Sequence, residues 1–294
     1  MIVAYPVRTD LRGNFLNNLG FMTALAMVAF AANSVLTRVA LSGDGADAPS
    51  FGLIRVAAGA AILAILILRR PEFRLLPDRK TILPSLALTL YIVGFSMAYL
   101  GLQTGVGALI LFGGVQVTMF LFALFSGQTI TAQKWLGTAL AFAGVVWLLL
   151  PGAAAPPLLA SLWMVLAALG WGLYSVLGKR AQDPLAETQK AFLLAVPMVA
   201  VFWIFAFEGN AMPLKSVILA IVSGAVTSAL GYALWYKVLP RLQTTTAAVA
   251  QLTVPSIAMA GGIIFLAEPL TLRFIGASVV VIVGVLVATG MVRR

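Results

Sequence analysis

The sequence predicts an all-α membrane protein with ten transmembrane helices, and three observations predict it: the composition, the charge-free runs and the placement of basic residues. Of the 294 residues, 62% are apolar and only 10% are charged, and the mean hydropathy is +1.05. Soluble domains are about 45–50% apolar and about 25% charged. Since one soluble domain of this size cannot hide so much apolar surface, the composition excludes a water-soluble protein.

The residue types that are missing narrow the function. The chain contains no Cys and no His. Without Cys there are no disulfides, iron–sulfur clusters or thiolate metal sites, and without His the commonest metal ligand and proton shuttle is gone. We therefore expect no cofactor and no metal. The net charge of +10 would suggest nucleic acid in a soluble protein, but in a membrane protein it is typical of Lys and Arg that fix orientation.

The charge-free runs give the number of spans. Residues 81–133 and 135–178 hold no charged residue, and each run is long enough for two helices of about 20 residues. The two runs break at residues 101–105 and at Pro151-Gly152. The same reading along the chain predicts spans at 16–40, 50–68, 81–101, 104–125, 134–151, 158–178, 186–207, 215–237, 243–266 and 272–291.

Basic residues predict the orientation. With a cytoplasmic N-terminus, fifteen of the nineteen Lys and Arg lie on the cytoplasmic side, and only Lys215 and Arg273 lie outside. Arg38 and Arg55 fall near the outer ends of spans 1 and 2. This asymmetry is a strong positive-inside signal. We expect both termini in the cytoplasm and a multi-pass protein of the bacterial inner membrane.

The two halves of the chain match each other at an offset near 140 residues. The matched segments are 34–38 with 175–179, 102–104 with 242–244, and 128–131 with 268–271. Thr131 and Thr271 are the expected N-caps of spans 5 and 10. Chance matching of apolar sequence is the alternative. Because each half holds an odd number of spans, the match predicts two inverted repeats, residues 1–151 with spans 1–5 and residues 152–294 with spans 6–10.

The second half also carries a family resemblance. Residues 232–236, 247–249 with Pro255, and 266–271 with Gly276 and Gly284 resemble the EamA-type drug/metabolite transporters. The resemblance implies ten helices, export of small metabolites, and a cavity lined by spans 1, 3, 4, 6, 8 and 9. Within the family, the chain most resembles bacterial exporters of aromatic amino acids. It departs from the family pattern at Gln128, where the family usually has Glu.

Polar side chains in the middle of a span are candidates for the cavity wall, because lipid cannot satisfy them. The candidates are Asn33, Gln116, Gln251 and Ser256. Beside the last two, Pro255 leaves the carbonyl of Gln251 without its helical donor. Hydrogen bonds between helices are the alternative interpretation of these side chains.

Aromatic side chains supply the second set of candidates. On span 6, Trp163, Trp171 and Tyr174 are spaced by eight and three residues and are predicted to share one face. Tyr91 and Tyr99 flank Phe95 on span 3, and Tyr232 lies on span 8. Packing is the alternative for each stripe. Arg38 and Lys179 occupy equivalent repeat positions at opposite membrane faces, so the repeat predicts a pair of gate residues.

Together these features predict an alternating-access exporter of small neutral metabolites, above all aromatic and other neutral amino acids. The partners expected are this substrate and membrane lipid, with no nucleic acid, and the protein is expected to be monomeric. One alternative is a multidrug exporter of lipophilic compounds, although no Asp or Glu falls at mid-membrane to offset a cation. A membrane-embedded enzyme is the alternative from a different class, but no paired catalytic carboxylates are present. Phosphorylated substrates would require a central Lys or Arg, and none is predicted.

Overall fold

All the regular structure of the described chain is helical. The computed structural model describes residues 10–43, 47–68, 79–152, 155–178, 183–209, 211–242 and 244–290. The helices of spans 1 to 7 are Asp10–Leu41, Ala48–Leu68, Ile82–Ala98, Thr104–Phe125, Ala132–Leu149, Leu158–Gly178 and Pro184–Ala206. Span 8 is built from Leu214–Val222, a π-helical segment Ser223–Leu230, and Gly231–Val238. Spans 9 and 10 are Thr244–Leu266 and Leu272–Thr289.

Ten helices of the described residues are long and apolar enough to cross a membrane. This confirms the number of spans predicted from the charge-free runs. Most helix ends fall within a few residues of the predicted ones. Two N-caps are confirmed as well: Thr131 Oγ1 accepts from the backbone N–H of Lys134 at 3.3 Å, and Thr271 Oγ1 accepts from that of Phe274 at 3.1 Å.

The spans pack as a twofold relation between the halves requires. Span 2 packs against span 7, span 4 against span 9, and span 5 against span 10. The contact of span 4 with span 6 corresponds to that of span 9 with span 1. In the same way, the contacts of span 3 with spans 6 and 7 correspond to those of span 8 with spans 1 and 2. Each contact therefore has its counterpart after exchange of spans 1–5 with spans 6–10. The division of the chain at residue 151 stays a prediction.

Small residues allow the closest of these contacts. At the interface of spans 5 and 10, a Cβ added at Gly137 would collide with the backbone of Ala288, and one added at Gly284 would collide with that of Ala141. Such backbone-to-backbone packing is how helices associate in lipid, where no hydrophobic effect drives them together. The two helices therefore form a closely packed pair.

Candidate substrate site

A small cavity lies inside the bundle, enclosed by spans 1, 3, 4, 6 and 8. Its volume is about 10 Å³, which is about the room that one water molecule needs. Of the described residues, eight line it, and six of these are aromatic: Phe30, Asn33, Tyr91, Phe95, Leu111, Phe112, Trp171 and Tyr232. The described structure is therefore closed around a wall of rings.

The rings contact one another at the distances expected of aromatic pairs. Trp171 lies at the centre of the wall, with its ring centroid 5.0 Å from that of Tyr91 and 4.8 Å from that of Tyr232. Phe30 meets both Trp171 and Tyr232 edge to face, at 6.0 and 5.8 Å. Four spans thus present aromatic side chains to one point.

Asn33 is the polar member of the cavity wall, and it is held by span 8. Its Oδ1 atom accepts from Ser223 Oγ at 2.8 Å, from Ser228 Oγ at 3.4 Å and from Thr227 Oγ1. Residues five apart point about 140° apart around an α-helix. The π-helical segment brings Ser223 and Ser228 onto one face, which is how both reach the same oxygen. A π-helical segment is frequent at functional sites.

Arg55 lies directly behind this wall and is the largest fully buried side chain described, with 1% of its surface exposed. Its Nε donates to Ser228 Oγ at 3.1 Å and its Nη2 donates to Tyr91 Oη at 2.9 Å. Its guanidinium carbon lies 4.8 Å from the centre of the Phe95 ring. A Cβ added at Gly224 would collide with the Arg55 carbonyl, so the close approach of spans 2 and 8 fixes this position.

Three donors in or against the wall have no acceptor. The Arg55 Nη1, the Trp171 Nε1 and the Tyr232 hydroxyl are all buried without a hydrogen-bond partner. In the described part of the chain, no carboxylate lies within 4 Å of the Arg55 guanidinium. Because buried donors nearly always find partners, this cluster of unsatisfied donors distinguishes the region from ordinary core.

Arg38 closes one end of the bundle over the cavity. Spans 1, 3, 5, 7 and 9 finish at this end, which we call the Arg38 side. The Arg38 Nη1 donates to the carbonyls of Tyr99 and Leu100 at 2.9 and 3.1 Å, and its Nε lies 3.4 Å from Glu268 Oε1. Glu268 Oε2 accepts from the backbone N–H of Thr104 at 2.8 Å. Span 1 is thereby tied to the loops before spans 4 and 10.

The Tyr99 ring lies below this closure rather than in the cavity. Its hydroxyl donates to the carbonyl of Thr104 at 3.1 Å. Burial raises the pKa of the Tyr99 hydroxyl, so it remains a donor at neutral pH. Tyr99 therefore strengthens the turn that Arg38 and Glu268 hold.

The opposite end, where span 6 finishes, is closed by a second set of contacts, and we call it the Tyr174 side. The Tyr174 hydroxyl donates to Thr188 Oγ1 at 3.1 Å, which links spans 6 and 7. A Cβ at Gly178 would collide with the Tyr236 hydroxyl, so spans 6 and 8 also touch here. Lys179, the predicted partner of Arg38 in gating, lies outside the described residues.

The structure brings together four of the eleven predicted cavity residues: Asn33, Tyr91, Trp171 and Tyr232. Trp163 does not line the cavity but meets Phe202 at 6.3 Å. Eight residues are 2.2 helical turns, so Trp163 and Trp171 point about 80° apart, and of the two only Trp171 lines the cavity. Tyr99 and Tyr174 belong instead to the two closures.

The remaining candidates lie outside this cavity. Gln116 and Gln251 are half-buried, Pro255 is buried, and Ser256 is exposed. Among the described side chains of span 9, which the family resemblance places on the cavity, none lines it. A cavity this small is lined only by the residues nearest the bundle axis.

Sequence reasoning missed Phe30, Leu111, Phe112 and, most importantly, Arg55. Arg55 is the eighth residue of the helix Ala48–Leu68, a depth at which snorkelling to the surface is the usual outcome. Its own helix contains no Asp or Glu, so the sequence offers no ion-pair partner that would indicate a buried arginine. Its partners Tyr91 and Ser228 are 36 and 173 residues away, so only the packing of three spans reveals it.

A ten-span helical bundle that closes at both ends over a central cavity has the architecture of a membrane transporter. The chain belongs to the EamA-like transporter family, whose family model matches residues 158–290. It is 43% identical to an uncharacterised protein of Pseudomonas aeruginosa over 267 residues, which cover 90% of this chain and 92% of that protein. It is therefore a multi-pass membrane protein of a family that transports small molecules.

More distant comparisons agree with this assignment. An uncharacterised transporter of Archaeoglobus fulgidus is 24% identical over 237 residues, which cover 79% of this chain and 85% of that protein. A crystal structure, described only as that of a protein, superposes with a TM-score of 0.67 over 94% of this chain and 97% of that chain. At 15% identity, that structure supports the fold alone.

Proposed function

We propose that the protein is an alternating-access exporter of small neutral metabolites, above all aromatic and other neutral amino acids, in the bacterial inner membrane. The observation that carries the proposal is the closed cavity walled by six aromatic side chains. Ring faces and edges contribute about 0.5–1.5 kcal/mol per aromatic pair beyond burial, so this wall favours substrates that carry an aromatic or apolar group.

Two closures support alternating access. The Arg38 side is held by one ion pair and hydrogen bonds to two carbonyls, and the Tyr174 side by a hydroxyl pair. The Arg38 closure joins the two halves through Arg38 and Glu268, whereas the Tyr174–Thr188 contact lies within the second half. A rocking motion of one half on the other would open the Arg38 closure and would move Tyr91 of the first half away from Trp171 of the second.

The alternative of a multidrug exporter for lipophilic cations finds less support. A permanent cation would enter a cavity that has the buried Arg55 guanidinium behind its wall. Among the described residues, no carboxylate lies within 4 Å of that guanidinium to offset its charge. Two positive charges a few ångströms apart in a low-dielectric interior repel each other by several kcal/mol. Neutral lipophilic compounds remain competitors to be included in any assay.

Counterflow in proteoliposomes tests the proposed function. Vesicles loaded with unlabelled phenylalanine should take up trace labelled phenylalanine transiently above equilibrium, because a carrier exchanges substrate across the membrane. Unlabelled tryptophan and leucine should compete, whereas tetraphenylphosphonium should not. A flux without counterflow overshoot would indicate a channel, and an overshoot with a cation but not with any amino acid would contradict the proposal in favour of a drug exporter.

A further inference from the structure

The cluster of unsatisfied donors indicates which chemical group of the substrate binds here. The inference rests on the proposed function, since it assigns a binding role within the same cavity. Arg55 Nη1, Trp171 Nε1 and Tyr232 Oη are buried without partners, and all three can donate a hydrogen bond. Arg55 and Trp171 carry no acceptor at all, so what the cluster lacks is an acceptor.

The charge of Arg55 specifies the acceptor further. A buried guanidinium without a counter-charge costs several kcal/mol, and an ionisable residue inside a membrane protein marks a functional site by default. Here the groups around the charge are neutral: Ser228 Oγ, the hydroxyls of Tyr91 and Tyr232, and the Phe95 ring. An anion that accepts from the free Nη1 would supply both the missing acceptor and the missing charge.

We propose that Arg55 is the anchor for the carboxylate of the transported substrate. Guanidinium and carboxylate match in geometry and can form two parallel hydrogen bonds. Tyr91 and Phe95 both line the cavity and touch the guanidinium. When the bundle opens and Tyr91 swings from Nη2, the guanidinium faces the cavity directly. The substrate class is then an organic monocarboxylate with an aromatic or apolar body.

The same contacts indicate how much the α-ammonium group of an amino acid contributes to binding. Asn33 Oδ1, the acceptor in the cavity wall, is already shared by three hydroxyl groups. An α-ammonium group therefore finds mainly ring faces, which attract cations more weakly than an anion would. The carboxylate is the required group, and the ammonium is an optional one.

Ligand-induced stabilisation of the purified protein in detergent tests this assignment without requiring transport. Three probes differ by one group each: phenylalanine has both charged groups, 3-phenylpropionate lacks the ammonium, and phenethylamine lacks the carboxylate. Phenylalanine and 3-phenylpropionate at about ten times Kd should raise Tm by roughly 2–4 °C. Phenethylamine should bind about thirtyfold more weakly or worse, as expected when one partner of a buried charge pair is removed.

Two variants at Arg55 assign the effect to this residue. Arg55→Gln should abolish the preference for the carboxylate probes over phenethylamine, while Arg55→Lys, which keeps the charge, should retain part of it. The control is Arg79→Gln, because Arg79 is exposed at the start of span 3. This variant should bind all three probes as the wild type does. Because Arg55 has no counter-charge, Arg55→Gln should melt no lower than the wild type.

The outcomes separate the two proposals. Equal stabilisation by phenethylamine and 3-phenylpropionate, or no stabilisation by any probe, would overturn the role of Arg55. The same holds if Arg55→Gln binds 3-phenylpropionate as the wild type does, or melts far below it, since the latter result marks a structural arginine. Counterflow of phenylalanine in the wild type then decides the exporter function independently of these results.

Discussion

At the scale of single residues, the two tryptophans of span 6 differ in whether they line the cavity. Trp171 has ring contacts with Phe30, Tyr91, Tyr174 and Tyr232, whereas Trp163 meets Phe202 and does not line the cavity. The two tryptophans therefore form a matched pair for mutagenesis within one span.

Trp171→Leu should raise KM for phenylalanine and tryptophan about threefold to tenfold, because about 0.5–1.5 kcal/mol of ring contact is lost. KM for alanine should change little, since a methyl group makes no ring contact. Trp163→Leu is the control and should leave both constants unchanged. The measurement is initial exchange rate in proteoliposomes against substrate concentration. An equal rise in KM for alanine would show that Trp171 supports the fold rather than the substrate.

The residue scale is also where sequence reasoning reached its limit. Asn33 and Trp171 were found because a polar or aromatic side chain in an apolar run is conspicuous. Arg55 was assigned to a helix end, because its depth depends on contacts with spans 3 and 8 that no local pattern encodes. Of the two tryptophans predicted on one face of span 6, only Trp171 lines the cavity, because the two side chains point about 80° apart. Local composition predicts which residues are unusual, and packing decides which of them meet.

At the scale of elements, spans and caps followed closely from the sequence. Charge-free runs fixed the ten helices, and the matched threonines Thr131 and Thr271 cap spans 5 and 10 as predicted. Both features depend on residues close together in the chain. The closure by Arg38 and Glu268 joins residues 230 positions apart, so the sequence predicted the residue Arg38 as a gate but not its partner.

Glu268→Gln tests this closure as a gate. The amide oxygen can still accept from the Thr104 N–H, but the ion pair with Arg38 is lost. A partly buried pair of this kind is worth about 1 kcal/mol, which changes an open-to-closed ratio about fivefold. Because the chain contains no Cys, a single Ser34→Cys reporter in span 1 can be labelled with maleimide. We expect labelling about five times faster in Glu268→Gln.

The control for this experiment is Glu187→Gln, which removes the other ion pair described, with Lys190 at 3.2 Å. That pair links neighbouring turns of one helix, and the Glu187 side chain is 39% exposed, so its loss should not change the labelling rate. Unchanged labelling in both variants would mean that the Arg38 ion pair does not hold the closure.

At the scale of the whole molecule, the placement of carboxylates bears on energy coupling. In the described ranges, every Asp and Glu lies in a loop or within the first turn of a helix: Asp10, Asp47, Asp183, Glu187, Glu208 and Glu268. A proton-driven carrier needs a titrating group whose access alternates between the two sides. Arginine does not lose its proton in proteins, so Arg55 cannot serve as that group.

Transport should therefore not be obligatorily coupled to protons. A pH gradient imposed in either direction, with equal substrate on both sides, should produce no accumulation of phenylalanine in proteoliposomes. Substrate should instead move only down its own gradient. Accumulation driven by the pH gradient alone would contradict this expectation, and its loss in Glu268→Gln would identify the carboxylate responsible.

The π-helical segment of span 8 makes the site sensitive to chain length at one place. Between Ser223 and Leu230 the helix holds one residue more than an α-helical path of the same length would need. Deleting Ala225 would restore that path and leave both ends of the span in register with their neighbours. The deletion would also turn Ser223 and Ser228 away from each other, so Asn33 would lose one of its hydroxyls. A single-codon deletion in this segment is thus expected to spare membrane insertion and alter substrate selection.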